Sequence, residues 1–113
     1  MTATFDDVRR IALALPEAEE VMARETEVTF RVRKRIFVME QDRQSHASLK
    51  ATPMIQAELV ERDPVTFRPA AYVGRFGWVD VDLARIDLGE LAALIRQAWR
   101  LTAPTRLAAS LPA

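Results

Sequence analysis

EVTFRVRKRIFVM, residues 27–39, carries the periodicity from which the fold is read. Val28, Phe30 and Val32 alternate with Glu27, Thr29, Arg31 and Arg33, the period-two pattern of a half-buried strand. Ile36, Phe37, Val38 and Met39 follow as a second strand. A loop of two or four residues centred on Lys34-Arg35 sets Val32 opposite Phe37 and Phe30 opposite Met39. Val28, Phe30, Val32, Phe37 and Met39 then share a core face, and Arg31 and Arg33 point outward beside Ile36 and Val38. The tip gathers Arg31, Arg33, Lys34 and Arg35, four cations in five residues.

Upstream of this hairpin, Phe5, Val8, Ile11, Ala12 and Leu15 recur at helical spacing. Thr4 with Asp7 makes a capping box, Asp6 and Asp7 suit the positive end of the helix, and Pro16 stops it. The acidic stretch of Glu17, Glu19 and Glu20, with Glu25 and Glu27, reads as a solvated loop. Downstream, Asp42, Gln44 and Ser45 make a turn, and residues 47–50 serve as a third strand. Thr52-Pro53 opens a helix, since Thr is a good N-cap and Pro suits the first helical position. That helix runs to about Arg62, before Asp63-Pro64.

Ala71-Tyr72-Val73 and residues 78–83 read as two more strands around Gly74 and Gly77, a second hairpin. The last helix starts at Asp87 with Glu90 as its capping partner, and Leu88, Leu91, Leu94, Ile95, Ala98 and Trp99 give it a broad apolar face. Residues 104–113 read as a loosely ordered tail. The order α-β-β-β-α-β-β-α describes one α+β domain over residues 1–113, an antiparallel sheet of about five strands with helices packed against it.

Composition narrows the function classes. Half the residues are apolar and 28% are charged, which suits a globular chain and argues against disorder. There is no Cys, so disulfides, thiolate nucleophiles and cysteine-ligated zinc are excluded. Sixteen basic residues balance sixteen acidic ones, without the basic excess of a typical nucleic-acid binder. The balance is local, however: residues 24–50 hold seven basic against four acidic residues, a net of +3. No basic, apolar leader or membrane-length apolar run is present, so a cytoplasmic location is expected and membrane contact is not.

No glycine-rich phosphate loop, serine elbow or His/Cys metal spacing occurs, so a non-enzymatic protein with no cofactor and no metal is expected. His46, the single histidine, at the start of a short strand, reads as a surface or turn residue. Asp80 and Asp82, two apart on a strand, face one side; that spacing suits a hard cation such as Mg²⁺, but a solvent-facing strand edge is the plainer account. Arg75 among Tyr72, Phe76 and Trp78 offers a second basic tip with bases able to stack on its rings.

The motifs FDDVRRIALALPEAEE, TFRVRKRIFVME, YVGRFGWVDVDL and LGELAALIRQAWRLTAPTRLAA, in that order, resemble the MmcQ/YjbR family of small bacterial proteins. The resemblance implies a CyaY-like fold and DNA binding through a double wing of two hairpins, here residues 31–35 and 72–78. The family commonly has Gly-Lys in the first turn, where this chain has Lys34-Arg35. Without glycine, a four-residue loop across residues 33–36 is expected in place of a two-residue turn.

The function expected is therefore a DNA-binding or regulatory protein holding phosphates weakly through Arg31, Arg33, Lys34 and Arg35, helped by Arg75, Tyr72 and Trp78. The main alternative is a protein-interaction or small-ligand module, monomer or homodimer, using aromatics near Trp78 or the outward Ile36 and Val38. A metal-handling role would use Asp6, Asp7, Glu17, Glu19 and Glu20.

Overall fold

The computed structural model describes residues 2–24 and 27–112; Glu25, part of the expected acidic loop, lies outside them. In chain order the elements are α1 (Phe5–Leu13), β1 (Ala18–Ala23), β2 (Glu27–Val32), β3 (Arg35–Gln41), β4 (His46–Leu49), α2 (Pro53–Arg62), β5 (Phe67–Pro69), β6 (Val79–Asp82), α3 (Leu88–Thr102) and α4 (Thr105–Ala109). The strands form one antiparallel sheet in the order β1-β2-β3-β4-β6-β5. This is the expected α+β architecture with one more strand and one more helix.

Local chemistry sets the helix starts. Thr4 and Asp7 exchange capping bonds at α1, Thr52 caps α2 ahead of Pro53, and the Asp87 carboxylate accepts from the Glu90 backbone at α3. Helix α1 ends at Leu13 with Ala14 as its cap, short of Pro16. All three helices bury apolar stripes on one face of the sheet. Phe5, Val8 and Ala12 join Leu91, Ile95, Ala98 and Trp99 over Phe30, Val38, Leu49 and Val79. The Trp99 indole N–H, inside this core, donates to the Pro16 carbonyl at 3.0 Å.

The hairpin that decided the fold is present, with its phase corrected. Val32 pairs with Arg35 and Arg31 with Ile36, but beyond a bulge Phe30 pairs with Val38 and Thr29 with Met39. Phe37 and Val38 are both fully buried, whereas Met39 is turned to the opposite face and half-buried. Val38 is therefore core and not part of an outward apolar pair. Bulges of this kind admit one extra residue and re-aim the side chains beyond it. Four successive apolar residues supplied the material for it.

The loop is also tighter than expected. Arg33 and Lys34 alone connect the strands, with φ of 50° and 68°. Positive φ at both central residues is the signature of a type I′ turn, whose twist matches that of the strands. The expected four-residue loop across residues 33–36 does not form. Both of these residues accept left-handed backbone without glycine, and the Arg33 side chain is tied down by Glu17.

The acidic stretch, expected as a loop, is edge strand β1: Ala18 pairs with Val32, Glu19 with Arg31 and Val21 with Thr29. Its charged side chains guard an edge that would otherwise invite another strand. The second hairpin is corrected as well. Ala71-Tyr72-Val73 is a turn, Gly74–Phe76 a short 3₁₀ turn, and β5 lies earlier, at Phe67–Pro69. The Gln56 amide of α2 donates to the Gly74 and Trp78 carbonyls at 2.7 Å each, pinning this segment to the domain. It is not a projecting wing. Gly77 has φ of 102°, and a Cβ there would lie 2.7 Å from the Thr52 carbonyl carbon. Residues 105–109 of the expected tail form α4, with Leu107, Ala108 and Leu111 packed against the core.

Candidate functional site

The register of the sheet brings the basic residues to one end. Leu49 pairs with Val38 and with Val79, so Lys50 and Trp78 sit at the same sheet end as the Arg33-Lys34 turn. Lys50 donates its backbone N–H to the Phe37 carbonyl at 3.1 Å, which fixes it beside β3. Burial first, and then nearby Arg35, hold the Lys50 ammonium below the ordinary lysine range. Lys34, Arg35 and Lys50 make no ion pair among the described residues. Lys50 was not singled out in the sequence, because only the register places it here.

The other expected contacts divide. Arg33 is exposed but spanned by Glu17, with Nε–Oε1 at 2.5 Å and Nη2–Oε2 at 3.0 Å. This bidentate pair holds the Glu17 carboxyl below the usual carboxylate range and raises the Arg33 guanidinium. Arg31 lies half-buried on the sheet, donating to the Thr29 hydroxyl at 3.0 Å, opposite Glu19. Arg75 stacks over the Phe76 ring at 4.7 Å. Tyr72 is 95% exposed and Trp78 is half-buried. Of the second segment, Trp78 lies at the sheet end of the Arg33-Lys34 turn, whereas Tyr72 lines a groove with Arg24, Glu27, Met39 and Gln41 toward the opposite end.

The acidic residues near α1 are occupied by arginines. Arg9 bridges Asp6 and Glu20 at 2.9 Å each, Arg10 pairs with Asp7 at 3.0 Å, and Glu17 holds Arg33. A metal-handling role would need these carboxylates to converge on a cation, and four of the five, Asp6, Asp7, Glu17 and Glu20, are instead held by guanidinium groups.

A second polar locus lies on the sheet face away from the helices. Register aligns Met39, Ser48, Asp80 and Arg68 in one row and Gln41, His46 and Asp82 in the next. His46 Nδ1 is 2.8 Å from Asp80 Oδ2, and His46 Nε2 is 4.0 Å from Asp82 Oδ2. All three side chains are about three-quarters buried. Two expectations change: His46, at the start of β4, is not a surface or turn residue but is mostly buried against a carboxylate partner, and Asp80 and Asp82 sit on an interior strand and not on an edge. The pairing spans 34 residues, so no local motif announced it.

A family model described as YjbR matches residues 13–101 of the chain. Among solved structures, the crystal structure of Deinococcus radiodurans protein DR2400, with a DUF419 domain, superposes with a TM-score of 0.80 at 24% identity. That match covers 88% of this chain and 78% of the other, and it shows a shared fold. No curated protein matches.

Proposed function

The chain belongs to the YjbR family, and from that premise we propose that it is a nucleic-acid-binding or regulatory protein that grips phosphates at the basic end of its sheet. Lys34, Arg35 and Lys50 make the contacts, and Arg33 is held in reserve by Glu17. One observation carries the reading. Arg35 and Lys50 lie near one another with no carboxylate ion pair among the described residues, and burial first, then Arg35, holds the Lys50 ammonium below its ordinary range. An anionic ligand relieves that repulsion, and phosphate oxygens match lysine and arginine donors.

Contacts of this kind position a backbone and do not read bases. The binding is therefore nonspecific, with dissociation constants on the order of 10⁻⁴ to 10⁻⁶ M. Trp78, at the same sheet end, adds stacking surface for unpaired bases, whereas Tyr72 lies toward the other end, beside Arg24, Glu27 and Gln41. We read the protein as a binder and not an enzyme, since His46 faces carboxylates at both ring nitrogens and activates no nucleophile.

Fluorescence anisotropy with a short labelled duplex and the matching single strand at about 50 mM salt tests the proposal. Saturable binding that is lost in the Lys34→Ala, Arg35→Ala, Lys50→Ala triple variant supports it. No binding to either probe, or an unaffected triple variant, rejects it.

A further inference from the structure

We propose that the polar cavity on the open sheet face binds a small molecule carrying a primary ammonium at one end and a carboxylate or phosphate at the other. The cavity has a volume of about 450 Å³, within the range of small-molecule sites. It lies at the His46 and Asp82 ends of β4 and β6, away from the basic turn, and does not depend on nucleic-acid binding.

Three carboxylates, Asp42, Asp80 and Asp82, face one guanidinium, Arg68, around this space. Leaving His46 aside, the charged lining sums to −2, which selects a cation. The geometry selects its type. Asp80 accepts only, so His46 donates Nδ1–H to it, and in the tautomer with a single ring proton Nε2 is an acceptor. Nε2 then looks across 4.0 Å at Asp82 Oδ2, a second acceptor, too far for a direct hydrogen bond and lacking a proton to share. A nitrogen about 2.8 Å from both atoms would see them about 90° apart, close to the spread of ammonium hydrogens.

Ser48 supplies an independent sign. It is 1% exposed, lines the same cavity, and its hydroxyl has no hydrogen-bond partner among the described residues. No fully enclosed side-chain oxygen or nitrogen among the described residues lacks a partner, so this hydroxyl opens into the cavity and offers an acceptor for a third N–H. Among the described residues, no three His, Asp or Glu side chains are grouped to hold a metal ion, which favours a directional organic cation. Arg68, exposed at the rim opposite Asp80, makes no ion pair among the described residues and provides for the anionic end.

The test is an amide-resolved NMR titration of the full chain with three probes of matched length: 4-aminobutyrate, butylamine and butyrate. Saturable shifts at residues 46, 48, 68, 80 and 82 are expected with 4-aminobutyrate, weaker ones with butylamine and none with butyrate. Asp82→Asn should weaken both amines by about tenfold or more, as expected for loss of a charge-assisted hydrogen bond. Arg68→Ala should weaken 4-aminobutyrate while leaving butylamine bound at least as tightly. This exposed substitution keeps the test decisive if Asp82→Asn loses its fold. Absence of saturation by either amine up to about 10 mM, where even a millimolar site would fill, overturns the proposal. So does butyrate matching the amines, or MgCl₂ moving the same amides when the amines do not.

Discussion

Glu17→Gln is expected to steepen the salt dependence of nucleic-acid binding while leaving the fold intact. In the wild type, Lys34, Arg35 and Lys50 make no ion pair among the described residues, and Arg33 is bonded twice to Glu17. Three phosphate contacts give a slope of log K against log salt of about −2.7, or roughly a 40-fold loss of affinity between about 50 and 200 mM. Glutamine removes the charge that retains Arg33 and the repulsion that Glu17 imposes on a phosphate. With Arg33 added, four contacts raise the slope to about −3.6, roughly a 150-fold loss over the same range. Both partners are half-exposed, with side chains 54% and 47% accessible, so the pair adds little to stability. Anisotropy titrations of one duplex across a salt series measure the slope directly. The double variant Glu17→Gln, Arg33→Ala should return to the wild-type slope. A slope that does not change with Glu17→Gln would mean that Arg33 already contacts phosphate or never does, and would refute the reserve role.

Three further outcomes are expected from the geometry. Lys50→Gln should weaken nucleic-acid binding and lower the slope by about 0.9, yet raise stability at neutral pH. The folded pKa of Lys50 is depressed, so its charged form disfavours folding below that pKa, and the cost fades as pH rises toward the unfolded value; a destabilised variant in urea would contradict this. Gly77→Ala should cost about 2 kcal/mol or more, because left-handed backbone is combined with a clash against the start of α2; an unchanged urea midpoint would show the contact to be soft. Asp63, held below the ordinary carboxylate range by the Thr66 hydroxyl and backbone N–H, stabilises the fold above the unfolded pKa and loses that contribution as pH falls through the folded one. Asp63→Asn should therefore flatten the acid limb of stability against pH, and an identical acid limb would argue against it.

What was legible in the sequence was local. The alternation of Val28, Phe30 and Val32, the Thr52-Pro53 start and the Asp87–Glu90 cap all depend on neighbours within a few residues, and each appears where expected. What escaped depends on distant partners. Glu19 and Glu20 have weak strand preference, and they become a strand only because β2 offers an edge to pair with. Ile36-Phe37-Val38-Met39 is apolar throughout and carries no phase, so the bulge that buries Phe37 and Val38 together left no mark. The tight turn without glycine is braced by Glu17, sixteen residues away. Tyr72 and Val73 have strand-forming side chains, but the bonds from Gln56 shape their segment.

The candidate sites divide in the same way. Arg33, Lys34 and Arg35 could be found as a run, whereas Lys50 joins them only through the pairing of β3 with β4. The partnership of His46 with Asp80 likewise exists only because β4 lies beside β6. That no described helix is long and apolar enough to cross a membrane agrees with the absence of such a run in the sequence.

The most direct test of the central claim is the amide-shift footprint of a short duplex on the isotope-labelled chain at about 50 mM salt, repeated at about 200 mM. The account predicts a footprint centred on residues 33–35 and 50, spreading toward 75–78 and collapsing as salt rises. A footprint confined to the helical face or to β1, or no footprint at the lower salt, would contradict it.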